Sequence, residues 1–328
     1  MPEQLVFAME VFLNGLMAGV LYALVALGFV LIYKASGIFN YAQGVMALFA
    51  AMTLVGIMNG QVPFAHLINA ALGTEVHHFG WHVPAFLAIL LTMAIMVLLA
   101  WLVQRVIFRH LVNQEPIILF MATIGLAYFM EGLSDLMWGA DIKKLDVGLP
   151  QGINLTIDEV TYGIFDYGFF IDNLDIVASI MAAILVIVLV IFSQYTKQGR
   201  AMRAVADDHQ AALSVGVSLN FIWIMVWSVA GFVALVAGIV WGTKSGVQFS
   251  LSLIALKALP VLMLGGFTSI PGAIVGGLII GVGEKLFEFS IGPLVGGATE
   301  NWFAYVLALL FLVFRPQGLF GEKIIERV

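Results

Sequence analysis

Long apolar runs separated by short charged breaks organise this chain. The runs lie near residues 7 to 33, 45 to 59, 84 to 108, 115 to 138, 174 to 195, 219 to 243, 250 to 265, 272 to 290 and 299 to 314. A helix needs about 20 mostly apolar residues to cross the hydrocarbon of a bilayer, and most of these runs are that long. The pattern predicts an all-α polytopic membrane protein with eight or nine transmembrane helices, one or two of them broken or re-entrant. It reads as a single transmembrane domain over residues 1–328.

Composition sharpens this reading. The chain is 62% hydrophobic and 10% charged, where a soluble domain carries roughly a quarter charged residues; its mean hydropathy is +1.06. It has no Cys, which excludes disulfide staples and thiolate chemistry. Met1 to Glu10 carries Glu3 and Glu10 and neither Lys nor Arg, so it lacks the basic start of a cleavable signal peptide, and the first apolar run is expected to stay.

Basic residues set orientation, because Lys and Arg are retained on the cytoplasmic side. An outside N-terminus and a cytoplasmic C-terminus place Lys34, Arg105, Arg109, Lys197, Arg200, Arg203, Arg315, Lys323 and Arg327 inside, nine of the fourteen. Lys143, Lys144, Lys244 and Lys285 then fall outside, and Lys257 falls within a span. The stretch 139–173 becomes an extracytoplasmic loop rich in Asp, either a short folded cap or a solvated connection. The other long outer loop, 60–83, holds His66, His77, His78 and His82 beside Glu75. Neither a His-x-x-x-His pair on a helix with a nearby Glu nor a Cys partner accompanies them, and no metal site is expected.

Three segments break the apolar pattern with chemistry. Irregular backbone survives at membrane depth only where it is buried in protein or lines a cavity. Ser36-Gly37-Ile38-Phe39-Asn40-Tyr41-Ala42-Gln43-Gly44 supplies glycines that permit a break and amides that offer donors and acceptors. Ser36, Asn40, Tyr41 and Gln43 are therefore candidates for a substrate path, with Asn40 a candidate cap for a half-helix; the alternative is an ordinary turn between spans. Thr243-Lys244-Ser245-Gly246, leading to Ala255-Leu256, resembles Tyr33-Lys34-Ala35-Ser36-Gly37, leading to Ala47-Leu48. The topology puts the two on opposite faces, as an inverted repeat would.

The second segment, 196–218, contains Lys197, Arg200, Arg203, Asp207 and Asp208 with Met202, Val205, Ala206 and Leu213 at helical spacing, and Gly216 to end it. Too short and charged to span, it reads as a cytoplasmic helix that either docks a motor protein or lies on the lipid surface. The third signal is buried charge. Lys257 and Glu284 sit inside apolar runs, roughly 16 and 20 Å from an inner turn at Thr268–Pro271 by helical rise. They are placed to pair across antiparallel helices, the alternative being that both snorkel to the outer interface. Gly272-x-x-x-Gly276 and Gly277-x-x-x-Gly281 mark close helix packing. Gly238-Ile-Val-Trp-Gly242-Thr-Lys244-Ser245 does not have the spacing or preceding strand of a phosphate loop.

Gly15-Leu16 through Gly19, Tyr22-Ala23-Leu24, Ala26-Leu27-Gly28, the Ser36 to Gly44 segment, Gly199-Arg200-Ala-Met-Arg203-Ala, Leu264-Gly-Gly-Phe-Thr-Ser269-Ile-Pro271-Gly-Ala-Ile-Val-Gly276-Gly and Arg315-Pro316-Gln-Gly318-Leu319-Phe-Gly321 run in order along most of the chain. Together they resemble the Liv-type branched-chain amino acid ABC permeases, a family that also includes urea and short-chain amide permeases. Tyr41 and Gln43 stand where that family more often has Phe and His.

The resemblance implies a multi-pass protein of the cell inner membrane that works by alternating access and is not itself an enzyme. Its implied partners are a second homologous permease, two cytoplasmic ATPases that hold the ATP and Mg, and an extracytoplasmic substrate-binding protein, with lipid as solvent and no nucleic acid or cofactor. It puts Ser36–Gly44 beside the path, Lys197–Gly216 against an ATPase, and the turn Gly266–Gly272 on the inner face. Leucine, isoleucine or valine is the implied cargo. An ion-coupled secondary transporter would ordinarily show midplane carboxylates, which are scarce here. An intramembrane enzyme would need a His pair with Glu, an activated Ser or a Cys.

Overall fold

The computed structural model describes residues 3–73, 75, 78–111, 114–165, 167–207 and 209–321. In chain order the helices are α1 (Glu3–Ser36), α2 (Gln43–Met58), α3 (Ala65–Leu72), α4 (Ala85–Val106), α5 (Pro116–Trp138), α6 (Leu155–Phe165), α7 (Asn173–Tyr195), α8 (Lys197–Asp207), α9 (His209–Ser214), α10 (Leu219–Ser245), α11 (Ile254–Gly265), α12 (Ile270–Val295) and α13 (Phe303–Phe314). Six of the described helices are long and apolar enough to cross a membrane, and 43–58, 249–265 and 303–314 are shorter apolar segments. Each predicted run is occupied by a helix, but 299–314 opens with a 3-10 turn, Thr299–Asn301, before Phe303–Phe314, and 250–265 is likewise divided. Its start is a 3-10 turn, Phe249–Leu253, and only Ile254–Gly265 is α-helical.

The burial pattern explains why these helices belong in lipid. α4 buries Ala88, Thr92, Met96, Ala100 and Val103, while α7 buries Leu174, Ala178, Ala182, Leu185 and Leu189. Both are single seams at helical spacing. The remaining faces expose Phe86, Leu87, Leu90, Leu91 and Leu98 on α4, and Ile180, Ile184, Ile187 and Ile191 on α7. Leaving that surface in water would cost about 25 cal/mol per Å²; lipid removes the penalty.

The contacts divide the chain into two units: residues 1–30, 149–190 and 256–328, and residues 31–148 and 191–255. The second unit is built around α10, whose length is buried from Ile222 to Gly242 against α2 and α4. The backbones touch where side chains are small. A Cβ added at Gly238 would lie 2.6 Å from the Ala47 carbonyl oxygen. Phe108 stacks on Trp227 at 4.8 Å, and the Trp138 indole fills the space opposite Gly56 and donates to Thr53 Oγ1 at 3.2 Å.

The first unit packs α12 against two neighbours by two glycine stripes. Gly277 and Gly281 meet Gly15 and Gly19 of α1, so a Cβ at Gly19 would lie 2.7 Å from Gly277 O and one at Gly277 would lie 2.6 Å from Gly19 O. Gly272 and Gly276 meet α11 instead, at Gly265 O and Val261 O. The segment after α13 folds back onto the end of α11. Leu319 N donates to Leu264 O at 2.8 Å and Phe320 N to Gly265 O at 3.2 Å, satisfying carbonyls that a helix end leaves unpaired. Gly266 and Gly318 allow this approach; a Cβ on Gly318 would lie 2.7 Å from Gly266 N.

The acidic stretch before α7 is a folded cap in its later part. Val6, Phe169 and Ile171 form a buried cluster with Met17, Ile157, Phe165, Tyr167 and Ile176 around them. Ile153 bridges to Asp172, and Asn154 Nδ2 donates to Asn173 Oδ1 at 2.8 Å. The buried Glu10 of α1 accepts the Phe170 N–H at 3.2 Å. Burial and the adjacent Glu10 carboxylate raise the Tyr167 phenol above its ordinary range. Asp166 lies outside the described residues.

Candidate functional site

The interrupted segment between α1 and α2 belongs to the second unit from Leu31 onward. Gly37 ends α1 at φ +67°, a left-handed conformation natural to glycine. Ser36 Oγ donates to Ile32 O at 2.7 Å and accepts from Ile38 N at 3.3 Å, which closes the last turn. Asn40 is fully buried at 0% exposure and Gln43 is buried beside it. Their amides form a closed set. Asn40 Oδ1 accepts Ala42 N at 3.1 Å, Asn40 Nδ2 donates to Gln43 Oε1 at 3.2 Å, and Gln43 Nε2 donates to Ala230 O of α10 at 3.2 Å. Thr123 Oγ1 of α5 accepts Tyr41 N at 3.1 Å and has two carbonyl acceptors within reach of its one proton, Phe120 O at 2.8 Å and Phe39 O at 3.1 Å.

One expectation changes on this geometry. Asn40 does not cap α2; the capping position is Ala42, without a side-chain bond, because the Asn40 amide is turned back onto its own loop. The side chain of this segment that faces outward is Tyr41, 39% exposed, edge-on to Phe120 at 6.4 Å. The break also meets its look-alike. α10 ends at Gly246 with φ +79°, and the following 3-10 turn packs so closely on α2 that a Cβ at Gly44 would lie 2.0 Å from Ser252 O. The segment expected on the opposite face thus comes, by the 3-10 turn that follows it, onto the start of α2 within one unit.

The first unit holds the buried charges. Lys257 Nζ lies 2.5 Å from Glu284 Oε1 and donates to Glu300 O at 2.7 Å. Tyr22 of α1 stands over the same ammonium, its ring centroid 5.9 Å away, and its hydroxyl reaches Glu284 Oε1 at a long 3.5 Å. Lys285 pairs with Glu300 at 2.8 Å. Glu284 is 1% exposed and Lys257 27%, so the geometry is a pair rather than two groups reaching separately for the interface. Glu284 Oε2 has no partner among the described residues. No sequence pattern marks Tyr22 or Glu300 as partners of this pair: the tyrosine comes from a helix more than two hundred residues away, and the lysine's second acceptor is a backbone oxygen.

The basic segment after α7 is tied to the helix it follows. Thr196 accepts Gly199 N at 2.9 Å, capping α8. Gly199 lies on the backbone of the last turn of α7, where a Cβ would come within 2.3 Å of Phe192 O. Arg203 donates to Ser193 O at 2.6 Å and to Gln194 O at 3.3 Å, and Arg200 donates to Tyr195 O at 3.2 Å. Positive charge at a helix C-terminus is favourable, so these arginines serve α7 first. Met202 and Val205 are buried as the stripe requires, but Leu213 departs from it: it is 49% exposed, next to Val215 at 76%. Lys197 is also exposed. The Asp207 side chain and Asp208 lie outside the described residues, as does His77.

Residues 11–315 match the family described as branched-chain amino acid transport system, permease component. The chain is 28% identical to the high-affinity branched-chain amino acid transport system permease protein LivH of Escherichia coli K12, with all of both chains covered. It is equally 28% identical, again with full coverage of both, to the corresponding permease protein BraD of Pseudomonas aeruginosa. The fructose import permease protein FruG of Bifidobacterium longum is 23% identical, covering 88% of this chain and 82% of that one.

Proposed function

This chain belongs to the family of branched-chain amino acid transport permeases, and from that membership we propose that it is the membrane subunit of an ATP-binding cassette importer for leucine, isoleucine or valine in the bacterial cytoplasmic membrane. The full-length similarity to two permeases named for branched-chain amino acids carries the reading. A second, homologous permease completes the path, two cytoplasmic ATPases supply the work, and an extracytoplasmic binding protein delivers the cargo. The substrate then moves by alternating access, with no bond chemistry on this chain.

The geometry supports particular roles. The non-helical segment before α2 and the 3-10 turn Phe249–Leu253 that packs on Gly44 are breaks buried in protein, the setting in which helices at membrane depth are broken for transport. Asn40 and Gln43 hold the break in shape, Ser36 closes the helix before it, and Tyr41 is the group available to line a path. Lys257 and Glu284 hold α11 to α12. In the second unit, Lys197, Leu213 and Val215 are exposed side chains of the coupling segment, whereas Arg200 and Arg203 secure it to α7.

Proteoliposomes containing this chain with its permease, ATPase and binding-protein partners should accumulate radiolabelled leucine only when ATP is enclosed on the ATPase side. Uphill accumulation by this chain alone would overturn the proposal. So would accumulation of fructose or urea with none of the three amino acids.

A further inference from the structure

A cleft of about 330 Å³ in the second unit is lined by Gln61, Val62, His78, Met137, Asp141 and Lys143, with Ala65 and Trp138. That volume lies within the ~300–1,000 Å³ of ordinary small-molecule sites. The connections that form it are the α2–α4 loop and the residues after α5, on the outer side in the N-out topology.

The walls are fixed by bonds that leave the charged tips available. Lys143 N and O exchange hydrogen bonds with Val247 O and N at 3.0 and 2.8 Å, which ties this loop to the one after α10. Phe64 N donates to Met137 O at 3.0 Å, and Gln61 bridges to His78. The Lys143 ammonium donates to Gln61 Oε1 at 2.5 Å and to Trp138 O at 2.6 Å, which uses two of its three N–H bonds. Burial lowers this ammonium below the ordinary lysine range, against the opposing pull of Asp141. The Asp141 carboxylate is exposed and makes no hydrogen bond with the described residues. A cation with one N–H to give and a free carboxylate thus line one cleft without bonding to each other, beside the apolar Val62, Ala65 and Met137.

We infer that this cleft binds a free α-amino acid with a small aliphatic side chain, its carboxylate on Lys143, its ammonium on Asp141 and its side chain against Val62 and Met137. Opposite charges at two ends and an apolar wall match that chemistry and no simple anion or sugar. The inference rests on the amino-acid reading above and adds to it a site on the permease itself, where cargo lands before it enters the path.

Binding to the full chain in lipid nanodiscs tests it, with radiolabelled leucine as probe and two competitors: 4-methylvalerate, which lacks the amino group, and isoamylamine, which lacks the carboxylate. The native chain should bind leucine at least about tenfold better than either, the usual consequence of losing a charged hydrogen bond. Asp141→Asn should erase the preference over 4-methylvalerate, and Lys143→Gln the preference over isoamylamine. Asp141 holds no described part of the fold, so its variant stays informative if the lysine variant misfolds. Equal binding of all three ligands, no binding, or a leucine preference unchanged in Asp141→Asn would overturn the site. Should the assembled transporter still accumulate leucine in that case, the importer reading stands and only the cleft assignment falls.

Discussion

At the scale of single residues, the buried polar groups fall into two kinds whose mutation should read differently. Asn40 and Gln43 satisfy one another and Ala230 O, so Asn40→Ala should lower the thermal stability of the detergent-solubilised chain by about 1–3 kcal/mol for the acceptors and donors left unpaired. Tyr41→Ala should leave that stability within the scatter of the measurement and reduce leucine uptake by the assembled transporter. For the charged pair, Lys257→Met alone leaves Glu284 buried without its cation and should cost about 3–5 kcal/mol, whereas Lys257→Met with Glu284→Leu should recover most of it; a melting series of the single and double variants checks both. The sequence located these residues unevenly. Lys257 and Glu284 were placed at similar depth by counting helical rise from one turn, because both helices leave that turn. The surroundings of Asn40 were not legible, since Thr123 and Ala230 lie about eighty and one hundred and ninety residues away and carry no mark of their role.

At the scale of helices, the apolar runs gave the spans because lipid imposes length and composition together. The 3-10 start at 249–253 lies where the chain must turn tightly against α2, at Gly44, a demand that hydropathy does not register. The glycine stripes of α12 were visible in sequence, but not that each serves a different neighbour. Without a hydrophobic driving force between helices, such contacts depend on close backbone approach. Gly19→Leu should therefore prevent α1 from seating on Gly277 and abolish the monodisperse peak in fluorescence-detected size exclusion, while Gly125→Leu, where a Cβ meets nothing within 4 Å, should leave the peak in place. The short helices follow a different rule. Arg203→Glu puts an anion on the carbonyls of Ser193 and Gln194 and should loosen α8 from α7, seen as faster proteolysis near residue 200. Leu213→Glu with Val215→Glu should spare that contact and weaken pull-down of the ATPase subunit.

At the scale of the whole chain, neither unit is a continuous stretch of sequence: each gathers segments from the first and last thirds. That arrangement could not be read from the order of apolar runs, which records length and not partners. The paired Lys-Ser-Gly and Lys-Ala-Ser-Gly breaks, read as lying on opposite faces, gave no sign that the turn after one packs on the helix after the other, at Gly44 and Ser252. The return of Leu319 and Phe320 to the end of α11 has a consequence for biogenesis. During synthesis the α11–α12 hairpin is complete at Val295 with two bare carbonyls, and they stay so until roughly twenty-five further residues, to Phe320, have followed. A stop codon introduced after Phe314 would strand the hairpin in that state, and pulse-chase labelling should show the shortened polypeptide cleared by membrane proteases while the full one persists.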